Sequence, residues 1–437
     1  MWSRGRVEPD YRLRWWERLG LYGPGYRRVW RQSGAPVIWV HAVSLGEARA
    51  AAPLIQALRA QSPGSRLLLT HTTATGREAG AALLQADRGD VQTWLPYDTP
   101  GAVRRFLRLH RPAVGVLMET EVWPVLQDQT RRHGVPMALA NARLSDKSLR
   151  QGQRFAALLQ PAVQSLRLIL AQTREDADRL QTMVGSMAPG QGPVLQVCGN
   201  VKFDMTPSPA LVALGQQWQR ASMRPVVMAA STREGEEPGL LQAWQAAMQS
   251  VVSVASVRAG SARLWVVPRH PQRFDEVAQL ITACGLSLSR RSTWPQGQPD
   301  AQALAADVWL GDSMGEMPAY FAAAQVALLG GSFAPLGGQN LIEAAACGCP
   351  IVMGPSTFNF DEAARLSEAA GAARRVASWD EGVAQALAWM QASTPEARRE
   401  VCLTFAAAHQ GAAQAMAHQI LRLLPLTPAG LATGRGA

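Results

Sequence analysis

One short segment shows the pattern of strand, turn and helix that recurs along the chain: Val37-Ile-Trp-Val-His-Ala-Val-Ser-Leu-Gly-Glu47. Its apolar first half predicts a buried strand that ends at His41, and the serine and glycine that follow predict a tight turn. Residues 48–60 then carry apolar side chains at helical spacing, so we expect a helix that opens at Glu47. This places a carboxylate at the end of a strand and the start of a helix.

The same alternation of strand and helix occurs in two series along the chain. The first series of apolar runs comprises residues 37–40, 66–70, 113–118, 137–140, 168–171 and 195–197. The second comprises residues 226–229, 264–267, 307–310, 326–329 and 351–353. Between them, residues 205–225 are interpreted as a linker plus a helix. The pattern predicts an α/β fold of two Rossmann-like doubly wound domains, with ligands bound at the carboxyl ends of the strands in an interdomain cleft.

The composition is that of an ordinary globular protein. The 437 residues are 47% hydrophobic and 17% charged, which excludes disordered, collagen-like and coiled-coil classes. The five cysteines lack the spacing of a metal finger and are expected to be reduced thiols in the cytosol. No apolar run approaches the ~18 residues of a membrane helix, and no signal peptide is found.

A net charge of +10 favours an anionic partner. The first 31 residues hold eight arginines interleaved with seven tryptophans and tyrosines. Because such a mixture suits the headgroup layer of an anionic membrane, we predict a membrane-surface segment over residues 1–35. A solvated leader is the alternative. Nucleic acid is not predicted as a partner, since no recognition helix, zinc finger or RNP-type strand is found.

Charged groups in the first series are candidates for catalysis. Glu47 could act as a general base for a hydroxyl group, with its ionised form favoured by the helix dipole, or it could only cap the helix. Glu119 and Glu121 directly follow an apolar strand, so at least one should line the cleft unless the loop is solvated. Lys202 is one of only two lysines among 43 basic residues, which indicates a selected ammonium group unless its retention is chance.

The second series predicts a phosphate site. Arg269 and His270 follow a strand and would meet an anionic ligand, although Arg269 could instead be structural. Glycines between residues 311 and 340 let backbone amides approach a ligand, and a helix beginning near Asn340 would point its N-terminus there. Glu343 lies on the same helix face as Asn340 and could accept hydrogen bonds from a ribose. Since neither G-x-G-x-x-G nor a P-loop is present, a nucleotide monophosphate is predicted.

No metal site is predicted. Asp176-Ala-Asp178 could be taken for the acidic pair with which some sugar transferases hold a metal ion. The pair lies in a charged helical stretch, so we interpret it as a solvated helix face.

Nine short segments occur in the same order as in the 3-deoxy-D-manno-octulosonic acid (Kdo) transferases of lipopolysaccharide synthesis. The chain resembles this family over residues 6 to about 409. They are His41-Ala-Val-Ser-Leu-Gly-Glu47, Glu119-Thr-Glu-Val-Trp-Pro124, Asn141-Ala-Arg-Leu-Ser145, Lys202-Phe-Asp204, Ser231-Thr-Arg-Glu-Gly-Glu-Glu237, Pro268-Arg-His-Pro271, Gly311-Asp-Ser-Met-Gly-Glu316, Gly337-Gly-Gln-Asn340 and Met353-Gly-Pro-Ser-Thr-Phe-Asn-Phe360.

The resemblance implies a GT-B fold and an inverting, metal-independent transfer of Kdo from CMP-Kdo to a lipid A precursor, lipid IVA, with release of CMP and no cofactor. It also implies that Glu47 is the general base and that Glu119 and Lys202 stabilise the transition state. The positions that match the CMP-binding segments are Pro268, Arg269, Met314, Gly315, Glu316, Asn340, Leu341, Ile342 and Glu343. Gln339 and Arg233 stand where relatives usually have histidine.

The expected organisation is a membrane-surface segment (1–35), an acceptor domain (36–205), a CMP-sugar-binding domain with the final helix (206–424) and a mobile tail (425–437). We expect peripheral binding at the cytoplasmic face of the bacterial inner membrane. Relatives usually begin with an apolar anchor, so either an upstream start or purely peripheral binding would explain its absence. Two alternatives stay open: a GT-B enzyme for UDP-sugars, such as a transferase or epimerase, and a glycolipid-binding protein without activity.

Overall fold

The computed structural model describes residues 11, 13–31, 34–188, 190–253, 262–392 and 395–425. The chain divides into a first unit, Met1–Asp204 with Gln410–Ala437, and a second unit, Met205–His409. Each unit contains one seven-stranded sheet in which all the pairings are parallel. The α/β prediction is therefore confirmed in both halves of the chain.

The first unit follows the predicted alternation of strands and helices. Its strands are β1 (Val37–His41), β2 (Arg66–His71), β3 (Val91–Trp94), β4 (Val114–Met118), β5 (Met137–Ala142), β6 (Leu168–Ala171) and β7 (Val194–Val197). Its helices are α1 (Pro24–Arg31), α2 (Leu45–Gln61), α3 (Ala74–Ala81), α4 (Pro100–His110), α5 (Pro124–Arg132), α6 (Asp146–Arg154), α7 (Ala156–Gln164), α8 (Arg174–Val184) and, after the second unit, α18 (Ala412–Leu421). Short 3-10 helices span Trp15–Leu19, Ala86–Arg88 and Val201–Asp204.

The second unit repeats this plan. Its strands are β8 (Val226–Thr232), β9 (Arg263–Pro268), β10 (Leu288–Arg290), β11 (Val308–Leu310), β12 (Val326–Leu329), β13 (Ile351–Met353) and β14 (Ala373–Arg375). Its helices are α9 (Pro209–Ser222), α10 (Glu236–Ser253), α11 (Phe274–Ala283), α12 (Ala301–Ala305), α13 (Met317–Ala323), α14 (Leu341–Ala346), α15 (Asp361–Ala369), α16 (Trp379–Ala392) and α17 (Pro395–Ala408). Short 3-10 helices span Pro271–Arg273, Arg291–Thr293 and Pro295–Gly297.

Strand β1 shows why its sequence is apolar throughout. Ile38 and Val40 join a core with α2 and α18, whereas Trp39 packs on the other face against Phe106 of α4, with 4.9 Å between the ring centroids. A parallel strand with helices on both faces buries every side chain, so it is read as a continuous apolar run and not as an alternating one.

Each sheet contains a switch point between two central strands. The first sheet runs β3-β2-β1-β4-β5-β6-β7 and the second runs β10-β11-β9-β8-β12-β13-β14. The order therefore switches between β1 and β4 in the first sheet and between β8 and β12 in the second. In open α/β sheets, the loops that follow the strands at such a switch point enclose the ligand crevice.

Three strands were not predicted: β3, β10 and β14. All three are edge strands, because each lies at one end of its sheet. An edge strand is covered less completely than a central one, so polar residues interrupt its apolar run, as in the Leu-Ser-Arg of β10 and the Ala-Arg-Arg of β14.

The final helix differs from expectation, because α18 belongs to the first unit. Met416 and Ile420 of α18 are fully buried in the core that contains β1 and α2. The Asp204 carboxylate accepts hydrogen bonds from the backbone N–H groups of Gly411 (2.5 Å) and Ala413 (2.6 Å), which fixes the start of the helix. The second unit therefore ends at His409, and residues 426–437 of the expected tail lie outside the described residues.

The predicted membrane-surface segment is partly built into the first unit. Glu17 is fully buried and accepts hydrogen bonds from Thr93 Oγ1 (2.8 Å) and the Trp94 N–H (3.0 Å). Trp15 and Trp16, in contrast, are each 43% exposed. Residues 1–10, 12, 32 and 33 lie outside the described part of the chain. Among the described residues, no helix combines the length and apolarity needed to cross a bilayer.

Candidate active site

Glu47 is held by the turn between β1 and α2. The helix begins at Leu45, two residues earlier than predicted, and Ser44 is its N-cap. Ser44 Oγ accepts the Glu47 N–H at 3.4 Å, and Glu47 Oε2 accepts the Val43 N–H at 2.7 Å. This reciprocal arrangement resembles a capping box, so Glu47 caps the helix, and its carboxyl group is fixed at the carboxyl end of β1.

The surroundings of Glu47 make its carboxyl group a weaker acid than that of an exposed glutamate. Burial raises the pKa of Glu47 to about 7. The Val43 N–H and the Arg143 guanidinium act in the opposite direction, and the carboxylates of Glu121 and Glu119 act in the same direction as burial. The helix dipole was expected to favour the ionised form, but burial has the larger effect. A general base is most effective when its pKa lies near the working pH.

Glu119 lies directly after β4, on the other side of the switch point from Glu47. Its backbone is left-handed, with φ at 56°, and only 6% of the residue is exposed. Its Oε1 atom lies 3.4 Å from Lys202 Nζ, and its Oε2 atom lies 3.0 Å from Arg143 Nε. Since each carboxylate oxygen contacts a cation, Glu119 serves to hold these two cations.

Lys202 is positioned by a set of amide side chains, of which Asn141 and Gln172 are buried and Asn200 is half-buried. Asn200 Oδ1 accepts the Lys202 N–H at 3.0 Å, and Asn200 Nδ2 donates to Gln172 Oε1 at 3.0 Å. Asn141 Oδ1 accepts the Val201 N–H at 3.1 Å. Because these bonds fix the backbone of the 3-10 helix Val201–Asp204, the ammonium group is delivered to Glu119 from a defined position.

Arg143 belongs to this site although no role was predicted for it; it directly follows β5, the neighbour of β4. Glu121, which was considered together with Glu119, accepts a hydrogen bond from Trp123 Nε1 at 2.7 Å. Burial raises the pKa of Glu121 as well. The signal that could have found Arg143 is its place at the end of a predicted central strand. His41, in contrast, is fully buried, and burial lowers its pKa to about 3, so it stays neutral inside the core.

In the second unit, the glycine-rich loop after β12 is tied to the loop after β8. Glu236 is 3% exposed and accepts N–H groups from Gly331 (2.7 Å), Arg233 (2.8 Å) and Ala334 (3.2 Å). A Cβ atom on Gly330 would lie 2.4 Å from the Ser231 carbonyl oxygen, so only glycine permits this approach. Some loop amides that we expected to face a ligand are therefore used to fix the loop itself.

Asn340 starts α14, as predicted, and the helix is short, spanning six residues. Asn340 Oδ1 accepts the Ile342 N–H at 3.1 Å, which makes Asn340 the N-cap. Leu341 and Ile342 are buried in the core, and Glu343 is half-buried. Leu341 and Ile342 can therefore offer a ligand only their backbone groups.

The turn that carries Met314, Gly315 and Glu316 is braced by the segment after β10. Asp312 accepts hydrogen bonds from Arg290 Nε (2.7 Å), the Ser292 N–H (2.8 Å) and Ser292 Oγ (2.6 Å). Glu316 Oε1 accepts from Arg291 Nη2 at 2.7 Å, and Glu316 Oε2 accepts from Ser313 Oγ.

The Glu316 side chain is thus occupied within the turn, whereas Met314 at its tip is 65% exposed. Arg291 itself lies over the rings of Trp218 and Trp294, at 4.8 and 5.6 Å from their centroids. Any contact from this turn to a ligand therefore comes from its exposed tip and its backbone.

Pro268 and Arg269 lie where β9 ends. Pro268 is buried, and the Arg269 N–H donates to the Thr232 carbonyl oxygen at 2.9 Å, which joins the ends of β9 and β8. The nearby Glu237 is fully buried in an ion pair with Arg273 at 2.7 Å. The predicted CMP-binding segments thus all lie at the carboxyl edge of the second sheet.

The acidic pair of α8 is not wholly a solvated face. Asp178 is exposed, but Asp176 is buried and accepts the Leu144 N–H at 2.8 Å and the Thr173 hydroxyl at 2.9 Å. Asp176 therefore fixes the loop after β5, because its carboxylate bridges two segments. In the described part of the chain, no group of three or more His, Cys, Asp or Glu side chains is arranged to hold a metal ion.

Comparison with known proteins shows to which family the chain belongs. A family model described as 3-Deoxy-D-manno-octulosonic-acid transferase (kdotransferase) matches residues 13–205. A 3-deoxy-D-manno-octulosonic acid transferase of Bordetella pertussis is 46% identical over 426 residues, which is 94% of this chain and 92% of the relative. The chain belongs to the Kdo transferase family. A second Kdo transferase, of Haemophilus influenzae, is 33% identical over 82% of this chain and 78% of its own length.

Solved structures confirm the fold of this Kdo transferase. A glycosyltransferase from Rickettsia africae matches with a TM-score of 0.55 at 10% identity, covering 90% of this chain and 100% of the other. The UDP-GlcNAc 2-epimerase of Neisseria meningitidis matches with a TM-score of 0.54 at 13% identity, covering 89% and 99%. The expected GT-B fold is thus confirmed, while identities this low carry no information on the reaction.

Proposed function

We propose that this Kdo transferase moves Kdo from CMP-Kdo to the lipid A precursor lipid IVA, within lipopolysaccharide synthesis, with inversion at the anomeric carbon and release of CMP. The observation that carries the proposal is the Glu47 carboxyl group. Its pKa of about 7 and its position at the switch point suit a base that deprotonates a sugar hydroxyl.

In the proposed step, Glu47 takes the proton of the acceptor hydroxyl while that oxygen attacks the anomeric carbon of Kdo. The bond between this carbon and the phosphate oxygen of CMP breaks, and its electron pair leaves with CMP. Attack opposite to the leaving group inverts the anomeric carbon. Lys202, held by Glu119, supplies positive charge to the oxyanions that develop, so a metal ion is not required.

For CMP we propose the carboxyl edge of the second sheet, at the nine positions predicted above. Support comes from the loops after β8 and β12, which flank the switch point and are joined by Glu236. Further support comes from the braced turn around Gly315, because a turn that is already rigid loses little conformational entropy when a ligand binds to it.

For the membrane we propose an apolar surface on the first unit, made of Leu13, Trp15, Trp16 and Leu21, which are 43% to 53% exposed. Arg104 and Arg108 are exposed on α4, the helix that contacts this segment through Arg105 and the Leu19 carbonyl oxygen (3.1 Å). Tryptophan beside arginine suits an anionic lipid surface. We therefore propose peripheral binding at the cytoplasmic face of the inner membrane, where the lipid acceptor is met.

The test supplies the purified protein with CMP-Kdo and a tetraacyl lipid A precursor, in the presence of EDTA. The proposal predicts a product whose mass has increased by one or more Kdo units, released CMP, and inverted anomeric configuration by NMR. Calorimetry with CMP and with UDP is the companion measurement. Tighter binding of UDP, or a requirement for added metal ions, would overturn the corresponding part of the proposal.

A further inference from the structure

Arg143 forms a cluster with Glu119 and Lys202, and the proposed mechanism gives it no role. It directly follows β5, and its backbone N–H donates to the Glu119 carbonyl oxygen at 3.3 Å. Its Nε atom donates to Glu119 Oε2 at 3.0 Å. The arginine is thus fixed to Glu119 through both its backbone and its side chain.

The two terminal nitrogens of Arg143 remain open. Half of the side chain is exposed, and within the described residues no hydrogen bond or ion pair uses Nη1 or Nη2. A guanidinium group presents its donors in a fixed planar fork. With Nε already bound, the edge formed by Nη1 and Nη2 can donate two parallel hydrogen bonds to one carboxylate or phosphate.

The charges around Arg143 favour an anion at this edge. Glu119 is shared by two cations, Lys202 and Arg143, so Arg143 does not have this carboxylate to itself. Glu47 interacts electrostatically with Arg143 and Glu119, and Glu121 with Glu119; burial, which penalises their charged forms, raises the pKa of Glu47 and of Glu121. A bound oxyanion would complete the pairing of the second cation.

We propose that Arg143 binds an anionic group of a substrate, a carboxylate or a phosphate, beside the general base. The proposal rests on the proposed function and deepens it. Two substrates could bring such a group: the sugar acid of the donor through its carboxylate, and the acceptor glycolipid through a phosphate. Bidentate binding would hold the reacting centre at a fixed distance from Glu47.

The experiment uses steady-state kinetics of the full chain with Arg143→Gln, Arg143→Lys and, as a matched control, Arg150→Gln on the exposed side of α6. Arg143→Gln should raise KM for one substrate about tenfold, the loss expected for a charge-assisted pair, with a smaller change in kcat. Arg143→Lys should recover part of this loss, because the charge remains while the two-pronged edge is lost. Arg150→Gln should match the wild type.

The substrate whose KM changes identifies the source of the anion. A raised donor KM assigns the carboxylate, and a raised acceptor KM that disappears with a dephosphorylated acceptor assigns the phosphate. Unchanged KM values, or equal increases in both, would overturn the proposal and leave Arg143 as a support for Glu119. A thermal unfolding curve like that of the wild type ensures that the variant is folded.

The proposed function can fail without deciding this inference. If the wild type transfers no Kdo, titration of free Kdo and of glucosamine 1-phosphate by calorimetry takes the place of kinetics. One of the two should bind the wild type and lose about tenfold in affinity in Arg143→Gln. Binding of neither, or equal binding to both proteins, would overturn the assignment of Arg143.

Discussion

A few neighbouring residues set the protonation state of the Glu47 carboxyl group. Glu47 is tied to the Val43 N–H, half-buried, and close enough to Glu119 and Glu121 for their charges to raise its pKa. In the folded protein it therefore gains a proton at a pH where an exposed glutamate would be ionised. In the proposed mechanism the charged form is the base, whereas burial penalises that form, so folding and the proposed catalysis make opposite demands on this group.

The pH dependence of turnover follows from this. Because Glu47 accepts a proton only when ionised, kcat/KM should increase as the pH rises through about 7 and level off above that value. The measurement is transfer to the lipid acceptor between pH 5 and 9, with CMP affinity followed over the same range. A rate that is already constant from pH 5 upward would show that an unperturbed carboxylate acts instead.

Lys202 offers a sharp test, because the chain contains one other lysine. Lys202→Met removes one of the two cations on Glu119 and should lower kcat about a hundredfold, as expected for a group that stabilises developing charge. Lys147→Met, at an exposed position of α6, is the matched control and should keep full activity. Equal rates for the two variants would remove Lys202 from the mechanism.

Whether a strand could be predicted from the sequence depended on how completely its side chains are buried. Central strands such as β4 were predicted because all of their side chains are buried, and their apolar runs are therefore unbroken. Edge strands such as β14 were missed, since solvent permits polar residues there. Arg143 was missed for a different reason: only the pairing of β5 with β4 brings it to Glu119, and neighbour relations in a sheet do not appear in a linear sequence.

The same limit applies to the braces of the second unit. The resemblance implied that Glu316 contacts CMP, and in the structure its carboxylate is engaged by Arg291 and Ser313. Arg291 lies 25 residues from Glu316 in the sequence and Ser313 lies three residues from it, so only the folded turn brings Arg291 to this carboxylate. The left-handed backbone of Glu119 and Ser231, at the ends of β4 and β8, was likewise invisible before folding.

Arg291 connects a tryptophan cluster to the turn proposed to bind CMP. Arg291→Met should keep an apolar stem over Trp218 and lose the ion pair with Glu316, so the turn loosens while the core stays packed. We expect CMP affinity to fall about tenfold by calorimetry. Arg374→Met, at an exposed position of β14, is the control. Unchanged CMP affinity in Arg291→Met would contradict a role of this brace in nucleotide binding.

At the scale of the whole molecule, the chain leaves the first unit once and returns to it. Helix α18 completes the core around β1 after the second unit has been built, and Asp204 at the departure point caps the helix at the return. Composition and periodicity predicted two domains, but they could not show this return, because a helix of alanine and apolar residues is compatible with either core.

The membrane surface is the second property of the whole molecule. Trp15→Ser combined with Trp16→Ser should weaken binding of the protein to phosphatidylglycerol vesicles at least about tenfold, because two half-exposed indoles are lost from the proposed contact. Cosedimentation at low and moderate salt is the measurement, and Val401→Ser, an exposed apolar position of the second unit, is the control. Undiminished binding of the double variant would place the contact elsewhere.

The most direct test of the central claim is transfer by Glu47→Gln, which keeps the shape of the side chain and an acceptor for the Val43 N–H. We predict that kcat falls by a factor of about 10² to 10⁴ while CMP still binds as in the wild type, and that Glu78→Gln, an exposed control on α3, is fully active. Turnover of Glu47→Gln close to that of the wild type would contradict the assignment of Glu47 as the base.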